Sequence, residues 1–186
     1  MGFQKCGTTS FFRFFAAHGF RVIHNTVQVC DAVGLPRHVP KGFDLLGSID
    51  TNMLNKFVGK FDVLTDNPFP LLYEYFDRRP ENNLFVLGTR PADQWLCSMQ
   101  RYFGTRMPVL GGAIYSSDAN PCSDPDTFIK TYENHNSAVR KYFRGRSDFI
   151  EIRLGTESNA TITRRLEDFV KLPGKTGNQF GTHHPI

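Results

Sequence analysis

The chain has 186 residues, of which 40% are hydrophobic and 22% are charged, and its formal net charge is +4 at pH 7. These values predict a single globular domain over residues 1–186. The mild positive charge without a basic stripe argues against a nucleic-acid-binding protein, and no apolar run is long enough to span a membrane.

Predicted helices and strands alternate along the chain. Apolar residues at helical spacing predict a helix from Thr9 to His18, and a β-branched run predicts a strand from Phe20 to His24. Glycine- and proline-rich segments at 31–47 and 104–125 predict loops that shape an acceptor cleft. The other predicted elements are helices at 49–57, 69–76, 93–99, 127–143 and 162–170, and strands at 61–65, 83–89 and 149–154.

This alternation predicts an α/β fold of three layers, α/β/α, with a mainly parallel central sheet. A phosphate-binding loop usually follows a buried strand, but only four residues precede Lys5 of the glycine-containing loop described next. We therefore expect the domain to lack part of its first strand at the N-terminus.

A glycine-containing loop opens the chain and leads into the first predicted helix. Four residues separate Gly2 from Gly7, and hydroxyl side chains follow. Amides at a helix N-terminus favour an anion, so this pattern predicts phosphate binding, with a simple helix-capping turn as the alternative. Thr8 stands where a Walker A motif has its lysine, and Lys5 lies inside the loop, which argues against ATP hydrolysis. The predicted phosphate-binding residues are Lys5, Cys6, Gly7, Thr8, Thr9 and Ser10.

A second informative segment joins the strongest predicted strand to the helix that follows it. The strand ends at Arg90, and Ser98 follows eight residues later, about two helical turns along the next helix. Ligands of open α/β sheets bind at the carboxyl ends of strands, and a guanidinium can bind a phosphate bidentately. The alternative is a structural arginine paired with Asp93.

The Lys5 loop and the strand–Arg90–Ser98 segment together resemble the two nucleotide-binding motifs of the P-loop sulfotransferases that use 3′-phosphoadenosine 5′-phosphosulfate (PAPS), particularly the carbohydrate and bacterial types. The resemblance implies a P-loop nucleotide-hydrolase-like fold and PAPS as co-substrate. It also implies that the Lys5 loop binds the 5′-phosphosulfate while Arg90 and Ser98 bind the 3′-phosphate. Lys175, in a segment that resembles the loop closing over the nucleotide, is a weaker candidate for phosphate contact.

A catalytic base is expected where Thr65-Asp66-Asn67-Pro68 ends a predicted strand. In the related enzymes a general base stands at this place, so the resemblance implies that Asp66 removes the acceptor proton. Asp66 could instead cap the helix that follows, and His24 at the end of the second predicted element is the alternative base.

The resulting hypothesis is sulfuryl transfer from PAPS to an acceptor hydroxyl or amine, with a carbohydrate favoured and no metal or membrane span expected. The alternatives are a small-molecule kinase that uses ATP and magnesium, or a family member that binds nucleotide without catalysis. The chain alone favours the cytoplasm, with the Golgi lumen as the alternative if an anchor precedes it. The sequence contains no pattern that indicates the oligomeric state.

Overall fold

The computed structural model of the protein describes residues 1–116, 118, 120–172 and 180–181. The helices in these ranges are α1 (Thr8–Ala17), α2 (Thr26–Val33), α3 (Leu45–Ser48), α4 (Thr51–Val58), α5 (Tyr73–Asp77), α6 (Ala92–Phe103), α7 (Gly111–Tyr115), α8 (Pro125–Tyr142) and α9 (Asn159–Val170). The strands are β1 (Val22–Ile23), β2 (Val63–Leu64), β3 (Phe85–Thr89) and β4 (Phe149–Arg153), and a 3-10 turn covers Phe69–Leu72.

The strands pair in parallel. β1 pairs with β2, and β3 pairs with β4 with Phe85 opposite Phe149 and Thr89 opposite Arg153. Helices separate the two strands of each pair along the chain, as parallel pairing requires. The predicted mixed α/β class with parallel strand pairing is therefore confirmed.

The backbone forms two compact units. The described part of the first comprises residues 1–24, 61–90, 143–172 and 180–181, and therefore all four strands with α1, α5 and α9. In its core the Phe143 ring stacks on Phe149 at 5.1 Å between centroids. Just beyond Phe143, the guanidinium of Arg146 pairs with the carboxylates of Asp77 and Asp148, at 2.6 Å in each case.

The second unit contains residues 25–60 and 91–142 and is helical in its described part. Its core holds two stacked aromatic pairs. Trp95 of α6 stacks on Tyr132 of α8 with centroids 4.3 Å apart, and Tyr115 stacks on Phe128 at 4.0 Å. Burying these large rings accounts for much of the apolar surface that this unit removes from water.

Several observed elements differ from the sequence-based expectation. The predicted helix at 69–76 is a 3-10 turn followed by α5, and β1 and β2 are each only two residues long. The predicted loops at 31–47 and 104–125 contain α3 and α7. Helix α2 was not predicted, although Asn25 caps it by accepting a hydrogen bond from the Gln28 amide at 3.0 Å.

The start of the chain packs closely against β3 within the first unit. A Cβ atom added to Gly2 would lie 2.2 Å from the Gly88 carbonyl oxygen, and one added to Gly88 would lie 2.9 Å from the Cys6 carbonyl oxygen. Glycine at both positions permits this approach of backbone to backbone. The glycine-containing loop therefore lies directly beside β3, the strand that ends before Arg90.

Candidate active site

The loop between Gly2 and Thr8 leads straight into α1. Gly7 precedes the helix with a φ of 76°, a left-handed conformation that glycine adopts without steric cost. A Cβ there would lie 2.7 Å from a methyl carbon of Leu154, so no larger side chain fits without a shift. No side chain caps the first turn of α1, and its leading amides have no acceptor within the helix. This end of the helix is suited to bind an anion.

The side chains of the loop differ in what they can offer a ligand. The Cys6 side chain is fully buried, and Thr8 and Ser10 are buried as well. The Ser10 hydroxyl donates to the backbone carbonyl of Gly181. Thr9 is exposed. Thr9 is therefore the hydroxyl of this loop that a ligand reaches most readily, whereas Cys6 can contribute only its backbone.

Lys5, Asp66 and Arg90 lie close enough for their charges to interact. Burial of the half-buried ammonium lowers the pKa of Lys5, the charge of Arg90 lowers the pKa further, and the carboxylate of Asp66 raises it. The structure thus brings together three residues that are far apart in the sequence. Burial and the nearby charge of Arg90 make the Lys5 ammonium costly to keep protonated, and an anionic ligand beside it offsets that cost.

Two of these three residues have a left-handed backbone. The φ angle is 66° at Lys5 and 71° at Asp66, and neither residue is glycine. Such a conformation costs roughly 1–2 kcal/mol for an ordinary L-residue, so the surrounding contacts must maintain it. Backbone strain of this kind concentrates at functional sites.

His24 lies beside Asp66 and the loop. Its Nδ1 atom is 3.9 Å from Asp66 Oδ2 and 3.1 Å from the Thr65 hydroxyl, while its Nε2 atom is 3.2 Å from the Thr9 hydroxyl. The imidazole stacks on the Phe12 ring at 5.6 Å. Side-chain exposure is 20% for His24 and 18% for Asp66, so both are shielded and still accessible.

The hydrogen bonds around His24 define its tautomer. The single hydroxyl proton of Thr65 goes to the Ile23 carbonyl oxygen at 2.9 Å, so Thr65 must accept from the Nδ1–H of His24. In the neutral ring Nε2 is then the acceptor, and the Thr9 hydroxyl donates to it. The basic nitrogen of His24 therefore faces the loop. Burial lowers the pKa of His24 and the Asp66 charge raises it, with burial the larger effect, which favours the neutral ring at pH 7.

The remaining predicted site residues lie on other elements of the chain. Arg90 directly follows β3 in the first unit and is partly buried. Ser98 lies on α6 of the second unit and is also partly buried. Lys175 lies outside the described residues.

A cavity of about 340 Å³ lies within the first unit. Side chains of β2 and β3 line it together with Phe11 and Phe15 of α1, and Asp66 and Thr8 border it. Neither Lys5 nor Arg90 contributes to its wall. The cavity runs along β2 and β3 and lacks both of these cationic residues, so it is not the predicted nucleotide site.

No group of three or more metal-ligating side chains occurs among residues 1–116, 118, 120–172 and 180–181. Over the same residues, no helix combines the length and the apolar character needed to cross a membrane.

Sequence reasoning missed three polar contacts of this site. Thr9 and Thr65 bind the two nitrogens of His24, and a buried side-chain hydrogen bond joins Asn67 to Gln4. The sequence shows Thr9 beside the predicted loop and Thr65 at the end of a predicted strand, but it does not show that both bind His24. The amide pair joins residues 63 positions apart and leaves no sequence pattern.

The Asp66→Asn variant should lower the pKa of His24 relative to the wild-type protein. The carboxylate raises this pKa, so its neutralisation removes the stabilisation of the imidazolium and leaves the desolvation by burial. An NMR titration of the imidazole C–H signals measures the change. Glu74→Gln removes an exposed carboxylate that pairs with Arg78 and should leave the His24 titration unchanged. A pKa that stays constant or rises in Asp66→Asn contradicts this electrostatic account.

Comparison with known proteins supports the interpretation of these motifs. A family model described as a sulfotransferase domain matches residues 1–119, a range that contains Lys5, Asp66, Arg90 and Ser98. No match was found among curated proteins. Because the matched range covers more than half of the chain, the protein belongs to the sulfotransferase family.

Proposed function

We propose that the protein transfers a sulfuryl group from PAPS to a hydroxyl or amine of an acceptor. The acceptor oxygen or nitrogen forms a bond to sulfur and loses its proton to a base of the protein. The bond between sulfur and the 5′-phosphate oxygen breaks, and adenosine 3′,5′-bisphosphate leaves. The family match supports sulfuryl transfer over the phosphoryl transfer of a kinase.

The observation that carries this proposal is that the loop with Lys5 leads into the uncapped start of α1 and packs against β3, which ends directly before Arg90; the charges of Arg90 and Asp66 both act on Lys5. A donor with phosphate at both its 3′ and 5′ positions needs two cationic contacts, and the acceptor needs a nearby base. The charges of these residues supply all three within a single compact unit.

The donor is assigned to the loop and the end of β3. The amides from Cys6 to Thr9 and the hydroxyls of Thr8 and Thr9 bind the 5′-phosphosulfate, in line with the uncapped start of α1; on binding, the Thr9 hydroxyl gives up its hydrogen bond to Nε2 of His24. Lys5 stabilises the negative charge that develops on the bridging oxygen. Arg90 binds the 3′-phosphate. Lysine and backbone dipoles supply the positive charge, so the proposal includes no metal.

The proton acceptor is Asp66, with His24 as the alternative. In the first case the carboxylate takes the proton directly, at 18% exposure and beside the loop. In the second case Nε2 of His24 takes it, and Asp66, 3.9 Å from Nδ1, stabilises the imidazolium that forms. The tautomer that the Thr65 hydroxyl imposes supports the alternative.

For the acceptor we propose a carbohydrate, since an aspartate base and the Arg90-Pro91 segment resemble the carbohydrate-type enzymes. We also propose that residues 1–186 form a single sulfotransferase domain with a three-layer P-loop fold. The parallel pairing of β1 with β2 and of β3 with β4 supports such a sheet.

Lys5→Ala should lower the rate of transfer from labelled PAPS by about 100–1,000-fold, as loss of one charge-stabilising donor does in other enzymes. Lys56→Ala, which removes an exposed lysine of α4, is the control and should keep the wild-type rate. A parallel assay with ATP and magnesium tests the kinase alternative. Transfer at the wild-type rate in Lys5→Ala would remove Lys5 from the mechanism, and no transfer by the wild type to a panel of acceptors would support an inactive nucleotide-binding protein.

Arg90→Ala should weaken binding of adenosine 3′,5′-bisphosphate by about 10–150-fold, the usual effect of losing a hydrogen bond to a charged group. Binding of adenosine 5′-monophosphate should change little, because this nucleotide has no 3′-phosphate. Isothermal titration of both nucleotides measures the ratio, and Arg144→Ala, at an exposed arginine, is the control. Equal weakening of both nucleotides contradicts the assignment of Arg90 to the 3′-phosphate.

Asp66→Asn and His24→Gln distinguish the two candidate bases. The variant that lacks the base should lose about 100–10,000-fold in kcat and retain nucleotide binding. If Asp66 is the base, Asp66→Asn is the slower variant and His24→Gln has the smaller effect. If Nε2 of His24 is the base, the order reverses. Transfer rates at saturating PAPS show which variant is slower, and the affinity for adenosine 3′,5′-bisphosphate is measured for both. If both variants keep the wild-type kcat, neither residue is the base.

A further inference from the structure

Two buried amide side chains link the loop around Lys5 to the segment that carries Asp66. Gln4 is 7% exposed and Asn67 is 1% exposed. The Asn67 side-chain nitrogen donates to the side-chain oxygen of Gln4 across 63 residues of sequence. Gln4 immediately precedes Lys5, and Asn67 immediately follows Asp66. The hydrogen bond therefore joins the two residues next to the proposed charge stabiliser and the proposed base.

Asn67 also contacts the carboxylate of Asp66. The backbone N–H of Asn67 donates to Asp66 Oδ1 at 2.9 Å. One residue thus fixes the direction of the carboxylate through its backbone and holds Gln4 through its side chain. A carboxylate that accepts a hydrogen bond from a fixed backbone amide has little rotational freedom.

Each residue of this link is next to a residue with a strained backbone. Lys5 and Asp66 both have left-handed φ angles, which persist only where the surroundings hold them. A hydrogen bond between buried groups is strong because water does not compete with it. The Gln4–Asn67 bond is suited to hold both strained residues because it lies directly beside each of them.

We propose that Gln4 and Asn67 are positioning residues that set the distance between the Lys5 ammonium and the Asp66 carboxylate. This inference rests on the proposed function, because it assigns roles in the transfer reaction to Lys5 and Asp66. Both amide side chains are buried, so neither is offered to the donor or the acceptor. Their effect reaches the reaction through the backbone of their neighbours, and it determines whether the base and the charge stabiliser can act on one acceptor–sulfur pair at the same time.

A reciprocal exchange of the two side chains tests the proposal. Gln4→Asn shortens one side chain by a methylene, and Asn67→Gln lengthens the other. Each single variant should lower kcat by about 100-fold, the usual cost of a displacement near 1 Å, while the KM for PAPS changes little. The double variant Gln4→Asn/Asn67→Gln restores the summed length and should recover most of the wild-type kcat.

A matched control separates positioning from general destabilisation. Asn136 is another buried amide, 3% exposed, and lies on α8 in the second unit. Asn136→Gln should lower Tm and leave kcat unchanged. If the single variants at Gln4 and Asn67 also lower only Tm, or if the double variant folds and stays as slow as the single ones, the positioning role is wrong. If Asn67→Gln does not fold, Gln4→Met replaces it. This variant keeps the shape of the Gln4 side chain, removes its hydrogen-bond acceptor, and should lower kcat in the same way.

A readout without turnover keeps this inference distinct from the proposed function. The Asp66 carboxylate influences the titration of His24, so its displacement should change the His24 NMR titration in each single variant and restore it in the double variant. A wild-type protein that transfers no sulfuryl group but shows this pattern contradicts the proposed function and retains the positioning. A titration that is identical in all variants contradicts the positioning, whether or not the wild type is active.

Discussion

The site depends on holding two cations near each other in a place that water only partly reaches. Lys5 is half-buried, and the charge of Arg90 makes its protonated state less favourable. Repulsion of this kind weakens the apo protein, and Asp66 offsets only part of it. Under the proposed function, the two phosphate groups of the donor relieve this repulsion, and the cost that the fold bears without a ligand contributes to donor affinity.

Such an arrangement needs a rigid support, which the backbone around the loop provides. Gly2 and Gly88 allow the loop to lie against β3, and Gly7 turns the chain into α1 where Leu154 leaves no room for a Cβ. The loop thus rests on β3 and on the end of β4, which are paired along their whole length. A loop fixed to a parallel strand pair keeps its amides oriented, so under the proposed function little ordering opposes binding of the donor.

The sequence predicted one candidate site for Asp66 and Arg90 because each follows a predicted strand, and parallel strands of one sheet bring their carboxyl ends to the same edge. In the structure β2 and β3 belong to separate strand pairs, so this prediction remains untested. Long elements with strong periodicity, such as α8 and β3, were predicted within a few residues. The capped helix α2 was missed although Asn25 and Gly34, at its two ends, were visible signals. The Gln4–Asn67 hydrogen bond could not be predicted, because it depends on packing between distant segments and follows no period.

The sequence presents Asp66 and His24 as competing candidates, but the structure makes them parts of one arrangement. The Thr65 hydroxyl gives its proton to Ile23, so the Nδ1 side of His24 must donate and the lone pair of Nε2 faces Thr9 in the loop. Asp66 lies on the Nδ1 side, where its charge stabilises the protonated ring without occupying Nε2. A change at either residue therefore alters the proton affinity of the other, since the two titrations are linked by the same charge interaction. The roles of Asp66 and His24 therefore have to be determined by measuring both turnover and the His24 titration in each variant. Loss of turnover on substitution of one residue can arise from its effect on the other.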